Sequence, residues 1–429
     1  MYCSDDIARG VLDETLTALY GADRLDLQRK RYSDLIEAFS RRFSLSDGGS
    51  KPEGGVTLVS SPGRTELAGN HTDHNNGRVL AASIHLDQIA AAGKTTENRI
   101  RLVSEGFDRE IALEIDDLGF VPEEEGSPEA IIRGIARWFE EHGYAVGGFD
   151  AYLKSDVAMG SGLSSSACFE VLIGKLFSVF YNNDRLSPVE LSIAGRWGEN
   201  NYFGKPCGLM DQLACSVGGI IAIDFADPAH PSIENKHYSF REHGFRLCIV
   251  DTGGSHADLT PDYAAAPEEM GCIASVWKKP VLREVAFDGI LSRIPSLRKT
   301  CGDRAVLRSF HFFKDNERVR GMVKALEAGD IERYLTLVRE SGNSSWRFLQ
   351  NCIPTGETKE QGVALAIALC EHFFKGKGAA RVHGGGFAGT IQVYVPDADY
   401  PVFEEMICSV FGEDAVTEII IRDEGVITL

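Results

Sequence analysis

No stretch of this 429-residue chain approaches the roughly 18 consecutive apolar residues that a membrane-spanning helix needs. The opening residues, MYCSDDIARGVLDETL, are acidic early and lack the apolar core of a secretory leader. No membrane partner is expected, and the reading is cytoplasmic. No CxxC pair occurs among the ten cysteines, and several of them, such as Cys248 in LCIVD and Cys370 in ALAIALC, lie in apolar runs. They read as small buried hydrophobes rather than as a metal site or a disulfide framework. No long basic run offsets the formal charge of −19, which excludes a polyanion-binding face and with it nucleic acid as a partner. Internal repeats and low-complexity segments are also missing.

What is present is ordinary globular material, 43% hydrophobic and 25% charged, in a chain long enough for two domains with separate cores. Helix-period apolar spacing marks DETLTALYG and RYSDLIEAFSRRF near the start. A polar, Gly-rich break follows, then a strand-like run over 56–61 that enters the loop PGRTELAGNHTDHNNG. Ser127 and Pro128 form an N-cap and first-turn pair for a helix that ends near Gly143. FDAYLKSD reads as a strand running into a Gly/Ser loop, and ACFEVLIGKLFSVFY as an apolar helix. Later helices (GMVKALEAG, ERYLTLVRES, QGVALAIALCEHFF) alternate with strands (GGIIAIDF, FRLCIVDTG, TIQVYV, TEIIIRDEG). The fold class is therefore mixed α/β (α+β).

Three loops carry chemistry. In DVAMGSGLSSSACFE, glycines let a backbone approach phosphates and the following helix start offers unpaired N–H groups to an anion. Serine hydroxyls there can add hydrogen bonds or ligate Mg²⁺. A Gly/Ser turn with a serine cap fits the same residues. No lysine follows the last glycine, so this is not the GxxxxGK[ST] loop. The second loop, SSPGRTELAGNHTDHNNG, concentrates Arg64, Glu66, Asn70, His71, Asp73 and His74, donors and acceptors suited to a polyhydroxylated ligand. A surface loop, or an Arg64–Glu66 ion pair of purely structural purpose, is the plainer alternative. The third, RVHGGGFAGT, holds four glycines in ten residues, which suits a backbone passing close to a ligand or another loop.

In order and approximate spacing these loops resemble the motifs of the GHMP small-molecule kinases, and the first two in chain order are similar to those of galactokinases in particular. GRTELAGNHTDHNNGRVL resembles the galactokinase sugar signature, GSGLSSSA the nucleotide loop and VHGGGFAG the third motif. ENNYFGKPCGLMDQ is similar to the segment with the catalytic aspartate, and DTGGSHADLTPDY to the one with a sugar-contacting tyrosine. The resemblance implies a helical extension over 1–54, a ribosomal-S5-like α/β domain over 55–235 and a ferredoxin-like domain over 236–429, with the site in the cleft between the two domains. It implies ATP-dependent phosphorylation of the anomeric hydroxyl of galactose, with ATP and the small-molecule sugar as partners, Mg²⁺ as cofactor and a monomer or weak oligomer as the assembly.

Position by position, Asp211 matches the catalytic base and Arg64 the arginine beside it. Asn70, His71, Asp73, Gly208 and Tyr263 match sugar contacts. Gly160, Ser161, Gly162, Leu163, Ser164, Ser165, Ser166 and Ala167 match the nucleotide loop, and Ser165 with Glu199 the metal-binding pair. The chain departs from the pattern at four places. Asn70 stands for the usual glutamate, Glu66 for asparagine, His74 for tyrosine and Ala158 for a proline. In the family that glutamate contacts the hydroxyl at the far end of the sugar. An amide there raises galacturonate as an alternative substrate, and a non-catalytic sugar sensor is an alternative of another class.

Overall fold

The computed structural model describes residues 2–43, 56–107, 109–158, 160, 162–254 and 259–429. Three helices come first: α1 (Ser4–Ala8), α2 (Asp13–Tyr20) and α3 (Leu25–Phe43). The large sheet then begins with β1 (Thr57–Ala68), β2 (Arg78–Lys94), β3 (Arg99–Ser104) and β4 (Ile111–Glu114). Helix α4 (Pro128–Glu141) leads to β5 (Phe149–Ser155), after which α5 (Ser165–Tyr181), α6 (Pro188–Gly198) and α7 (Met210–Val217) follow in succession. Strands β6 (Ile220–Asp224) and β7 (Ser232–Lys236) complete this part.

The second part opens with β8 (Phe245–Asp251). It continues through α8 (Thr260–Ser275), α9 (Phe287–Thr300), α10 (Asp303–Glu327), α11 (Ile331–Ser344) and α12 (Gly362–Phe374). Then come β9 (Ala379–Val382), β10 (Thr390–Pro396), α13 (Tyr400–Phe411), β11 (Val416–Ile419) and β12 (Ile427–Thr428).

Eight strands form the large sheet in the order β12-β1-β2-β5-β3-β4, with β6 on the first half of β2 and β7 on β6. Among the described residues only the β3–β5 pair is parallel. The four-stranded sheet has the order β11-β8-β10-β9, all antiparallel. Numbered within itself that order is 4-1-3-2, the ferredoxin-like arrangement of a βαββαβ chain. The chain crosses between the sheets after β7 and returns after β11, where β12 pairs with β1.

Both faces of the large sheet are covered, which is why its strands read as nearly continuous apolar runs. Along β2, Ala90 and Ala92 pack with α4 and α5, while Ile89 and Ala91 pack with α2 and α3. The first helices are thus a full third layer. Their attachment has a polar centre at Asp87, fully buried in β2. Its carboxylate accepts from Arg31 Nη1 at 2.6 Å, Arg422 Nη1 at 3.2 Å and the Tyr20 hydroxyl at 2.5 Å, and also from Ser60. Burial alone would raise its pKa, but the Arg31 and Arg422 charges hold it below the ordinary value.

Two expectations need correction. Strand β1 does not stop at residue 61 but continues to Ala68, through register shifts between Pro62 and Arg64 and between Glu66 and Ala68. Pro62 has no N–H to give the ladder, and the bulge beside it absorbs that loss. The cysteines are not all unbonded: Cys272 and Cys301 form a disulfide joining α8 to the residue after α9. Spacing along the chain carried no sign of this pair, which the packing of two helices brings together. Ser127 caps α4 as expected, accepting from Ala130 N at 3.4 Å, and Gly143 leaves the helix at φ +75°.

Removing one partner of a buried ion pair leaves its counter-charges stranded, which costs about 3–5 kcal/mol. Asp87→Ala strands both Arg31 and Arg422, so a loss of that size is expected in urea unfolding, with the first 43 residues becoming the earliest site of proteolysis. A loss below 1 kcal/mol would show that the carboxylate is not the anchor.

Candidate active site

The bulged end of β1 and the Gly/Ser loop touch directly. Arg64 N donates to Leu163 O at 3.1 Å, and a Cβ at Gly63 would stand 2.9 Å from the same oxygen. Only glycine lets the two backbones come this close. The contact delivers the Arg64 guanidinium to α7. Nε donates to Asp211 Oδ1 at 2.8 Å and Nη2 to Oδ2 at 2.9 Å, while Nη1 donates to the Gly162 carbonyl. Arg64 is therefore not paired with Glu66, whose carboxylate meets Arg381 instead.

Asp211 lies in the first turn of α7, where the helix dipole favours a carboxylate. Burial pushes its pKa up, but the Arg64 charge, hydrogen bonds from Arg64 and Ser164, and the Lys205 charge bring it below the usual carboxylate value. Ser164 occupies the left-handed region at φ +61° and donates its hydroxyl to Asp211 rather than capping α5. A non-glycine residue held there is strained by its surroundings, and functional sites are where such strain collects.

Around Ser164, Gly160 and Gly162 have φ of +76° and +72°, Leu163 and Ala167 are buried, and Ser165 and Ser166 open α5. Ser161 lies outside the described residues. A Cβ at Gly162 would stand 2.8 Å from Thr390 Oγ1 and 3.3 Å from His383 Nδ1, so the glycine-rich loop of the second sheet closes on this one.

Glu199 begins a single π-helical turn after α6 and is buried. It accepts from Lys205 Nζ at 3.0 Å and Gln212 Nε2 at 3.2 Å, and the same amide reaches Glu170 Oε2 at 2.8 Å. Glu170 Oε1 is buried with no hydrogen-bond partner among the described residues. Burial, reinforced by the neighbouring Glu199 charge, pushes the Glu170 pKa well above its ordinary value. Oxygen donors of this kind suit a hard divalent cation, though no group of three or more acidic, Cys or His ligands exists among the described residues.

Asn70, His71 and Tyr263 lie against the same glycine-rich segment. Asp73 packs on Gly208, where a Cβ would fall 1.8 Å from Oδ2. His71 Nε2 donates to Gly385 O at 2.8 Å, which leaves Nδ1 the bare acceptor, without a partner among the described residues. Tyr263 on α8 lies across the loop, edge-on to Phe387 at 5.6 Å and with its hydroxyl 3.4 Å from Gly386 O. Asn70 is fully buried, and its side chain bonds to Glu66, Gly384 and Asn351. Glu170, Lys205, Gln212, Arg381, Asn351 and His383 were not singled out from the sequence. Lys205 and Gln212 stand inside the ENNYFGKPCGLMDQ stretch, but Asn351 has no local signal at all.

Comparison with known proteins bears on this arrangement. Residues 38–94 match the family model described as the galactokinase galactose-binding signature, and residues 130–219 match the GHMP kinases N terminal domain. A galactokinase of Glaesserella parasuis is 28% identical over 350 residues, covering 81% of this chain and 88% of that protein. The chain is thus similar to galactokinases over most of its length and to GHMP kinases in the segment around the Gly/Ser loop. Among solved structures, a Lactococcus lactis galactokinase complexed with galactose superposes with a TM-score of 0.76 at 22% identity, over 93% of this chain and 99% of that one. The Methanococcus jannaschii mevalonate kinase follows at 0.61 and 16% identity, over 86% and 99%. The shared GHMP architecture explains why the galactokinase-family loops converge between two sheets. No helix of the described residues is long and apolar enough to cross a membrane.

Burial lowers the His71 pKa to about 4, with the nearby His74 charge adding to the effect. The unfolded chain binds a proton at this residue below its ordinary value of 6.5, while the folded chain does not until about pH 4. Stability is therefore expected to fall as pH drops between those values, by up to ~1.4 kcal/mol per pH unit from this group. His71→Gln keeps a donor for Gly385 and removes the titration. Its urea midpoint should fall less between pH 6.5 and 4.5 than that of the parent, and an equal fall would show that His71 is not responsible.

Proposed function

We propose that the chain transfers the γ-phosphoryl group of ATP to the anomeric hydroxyl of galactose. The observation that carries this reading is the Arg64–Asp211–Ser164 cluster, set where the sugar loop meets the Gly/Ser loop. Phosphoryl transfer demands positioning and charge neutralisation more than covalent help. Asp211 accepts the hydroxyl proton as the new oxygen–phosphorus bond forms. Because its pKa is depressed, it is a weak base, and proton transfer comes late in the step. Arg64 keeps Asp211 ionised and offsets the negative charge that builds on the sugar oxygen. His71, Asp73, Gly208 and Tyr263 orient the sugar, with the bare His71 Nδ1 available to accept from a hydroxyl.

Residues 160–167 hold the triphosphate through backbone N–H groups at the start of α5. Glu199 and Ser165 would hold Mg²⁺, with Glu170 and its unpartnered oxygen behind them, and the ion supplies charge neutralisation at the phosphate oxygens. No observation favours a uronate over galactose, since the amide of Asn70 is already committed to Glu66 and Gly384. The intact Asp211 and serine loop speak for catalysis and against a sensor.

ADP release with ATP and Mg²⁺ is expected for galactose. Asp211→Asn should lower kcat about 10²–10⁴-fold with the fold intact by circular dichroism. Undiminished turnover in the variant would remove Asp211 from the mechanism. Arg64 lowers the Asp211 pKa, so Arg64→Met should move the acid limb of the kcat/KM profile to higher pH while lowering its plateau. A limb that stays in place would show that Arg64 does not set the charge of Asp211.

A further inference from the structure

Two of the chain's departures from the galactokinase pattern are in contact. Asn70 Nδ2 lies 3.1 Å from Glu66 Oε1 and 3.2 Å from Oε2. The family has asparagine at the first position and glutamate at the second, so an amide and a carboxylate have changed places across one hydrogen bond. The exchange conserves the bond and moves the negative charge onto β1. There it meets Arg381, which is fully buried and also donates to Leu67 O at 2.9 Å and Val382 O at 3.0 Å.

The remaining capacity of Asn70 is spent inside the protein. Nδ2 donates to Gly384 O at 2.5 Å, Oδ1 accepts from Asn351 Nδ2 at 2.6 Å, and the backbone carbonyl accepts from His311 Nε2 at 2.8 Å. Both amide hydrogens and the amide oxygen are thus used, and the residue has no exposed surface. We propose that Glu66 and Asn70 are a coupled latch between the sugar loop and the second sheet, and that Asn70 is a positioning residue that does not itself read a sugar hydroxyl. The latch sets the register of the 69–77 loop, and His71 extends it through Gly385 O.

The physics makes the exchange an all-or-none matter. Glutamate at both positions brings two carboxylates into contact in a buried site, with one arginine between them. Amides at both positions remove the carboxylate to which buried Arg381 donates and leave it only the charge of Asp315, with which it makes no hydrogen bond among the described residues. Only the present pair, or its complete reversal, keeps a single carboxylate in the 66–70 hydrogen bond beside Arg381.

The experiment compares the parent with Glu66→Asn, Asn70→Glu and the double variant. Thermal midpoints should drop in each single variant and recover by at least half of the summed loss in the double one. Losses that simply add would overturn the coupling. A milder variant, Asn70→Ser, tests the functional half, which rests on the sugar-kinase reading. Its kcat/KM should fall by the same factor, within two-fold, for galactose and for 6-deoxygalactose. A fall of ten-fold or more for galactose with 6-deoxygalactose unchanged would overturn the proposal, because residue 70 would then be reading the far-end hydroxyl. Failure of the parent to turn over either sugar would strike the kinase reading instead, while the thermal cycle would still decide the latch.

Discussion

Everything at the site depends on one close approach, that of the β1 bulge to the carbonyl of Leu163. The Arg64 N–H donates to that carbonyl at 3.1 Å, and the arginine side chain then spans the Gly162 carbonyl and the Asp211 carboxylate. A charged group placed this deep is tolerable only because every face of the guanidinium has an acceptor. The same bonds fix three segments that are apart in the chain: a strand end, the Gly/Ser loop and a helix start. The arginine is thus both the charge that keeps Asp211 ionised and the brace that keeps it in place, so its two functions cannot be varied independently.

The acidic character of the chain has a local counterpart. Glu170, Glu199 and Asp211 gather within one region, and Arg64 and Lys205 are cations that act on them. Arg64 answers Asp211. Lys205 answers Glu199, and Glu170 is left with one oxygen unpaired and a strongly raised pKa. With Glu170 thereby kept neutral, the other charges pair off one to one and leave no surplus positive charge for a triphosphate.

Much of this was legible in the sequence because the chemistry sits in short contiguous runs. Arg64, Asp211 and the serines of 164–166 announce themselves within motifs of ten to eighteen residues, and of these the structure joins Arg64, Ser164 and Asp211. What was not legible depends on contacts between distant residues. Asn70 reads as a ligand-facing amide in a polar loop; its burial follows from Gly384, Asn351 and His311, which lie 241 to 314 positions away. The strand beyond Pro62 was read as loop because proline and glycine punctuate it, whereas a bulge carries the ladder past them. The Cys272–Cys301 disulfide was hidden for the same reason, whereas the first helices were legible in their apolar spacing and only their docking on the sheet through Asp87 was not.

Asp87 shows how the distant parts are made interdependent. It stands in β2 two residues past His85, which accepts the Ile420 N–H through Nδ1 at 3.2 Å. Arg31 comes from the third helix and Arg422 from the segment returning from the second sheet, and both end on the same carboxylate. The strand that carries this hub pairs with β1 along its whole length, including the bulge beside Arg64. A buried ion cluster that recruits both chain termini makes the large sheet a single cooperative unit, because neither terminus can leave without stranding a charge. The bulge that carries Arg64 is thereby mounted on a sheet tied down by this cluster. Such rigidity suits a reaction in which placing the phosphate and the sugar oxygen is most of the work.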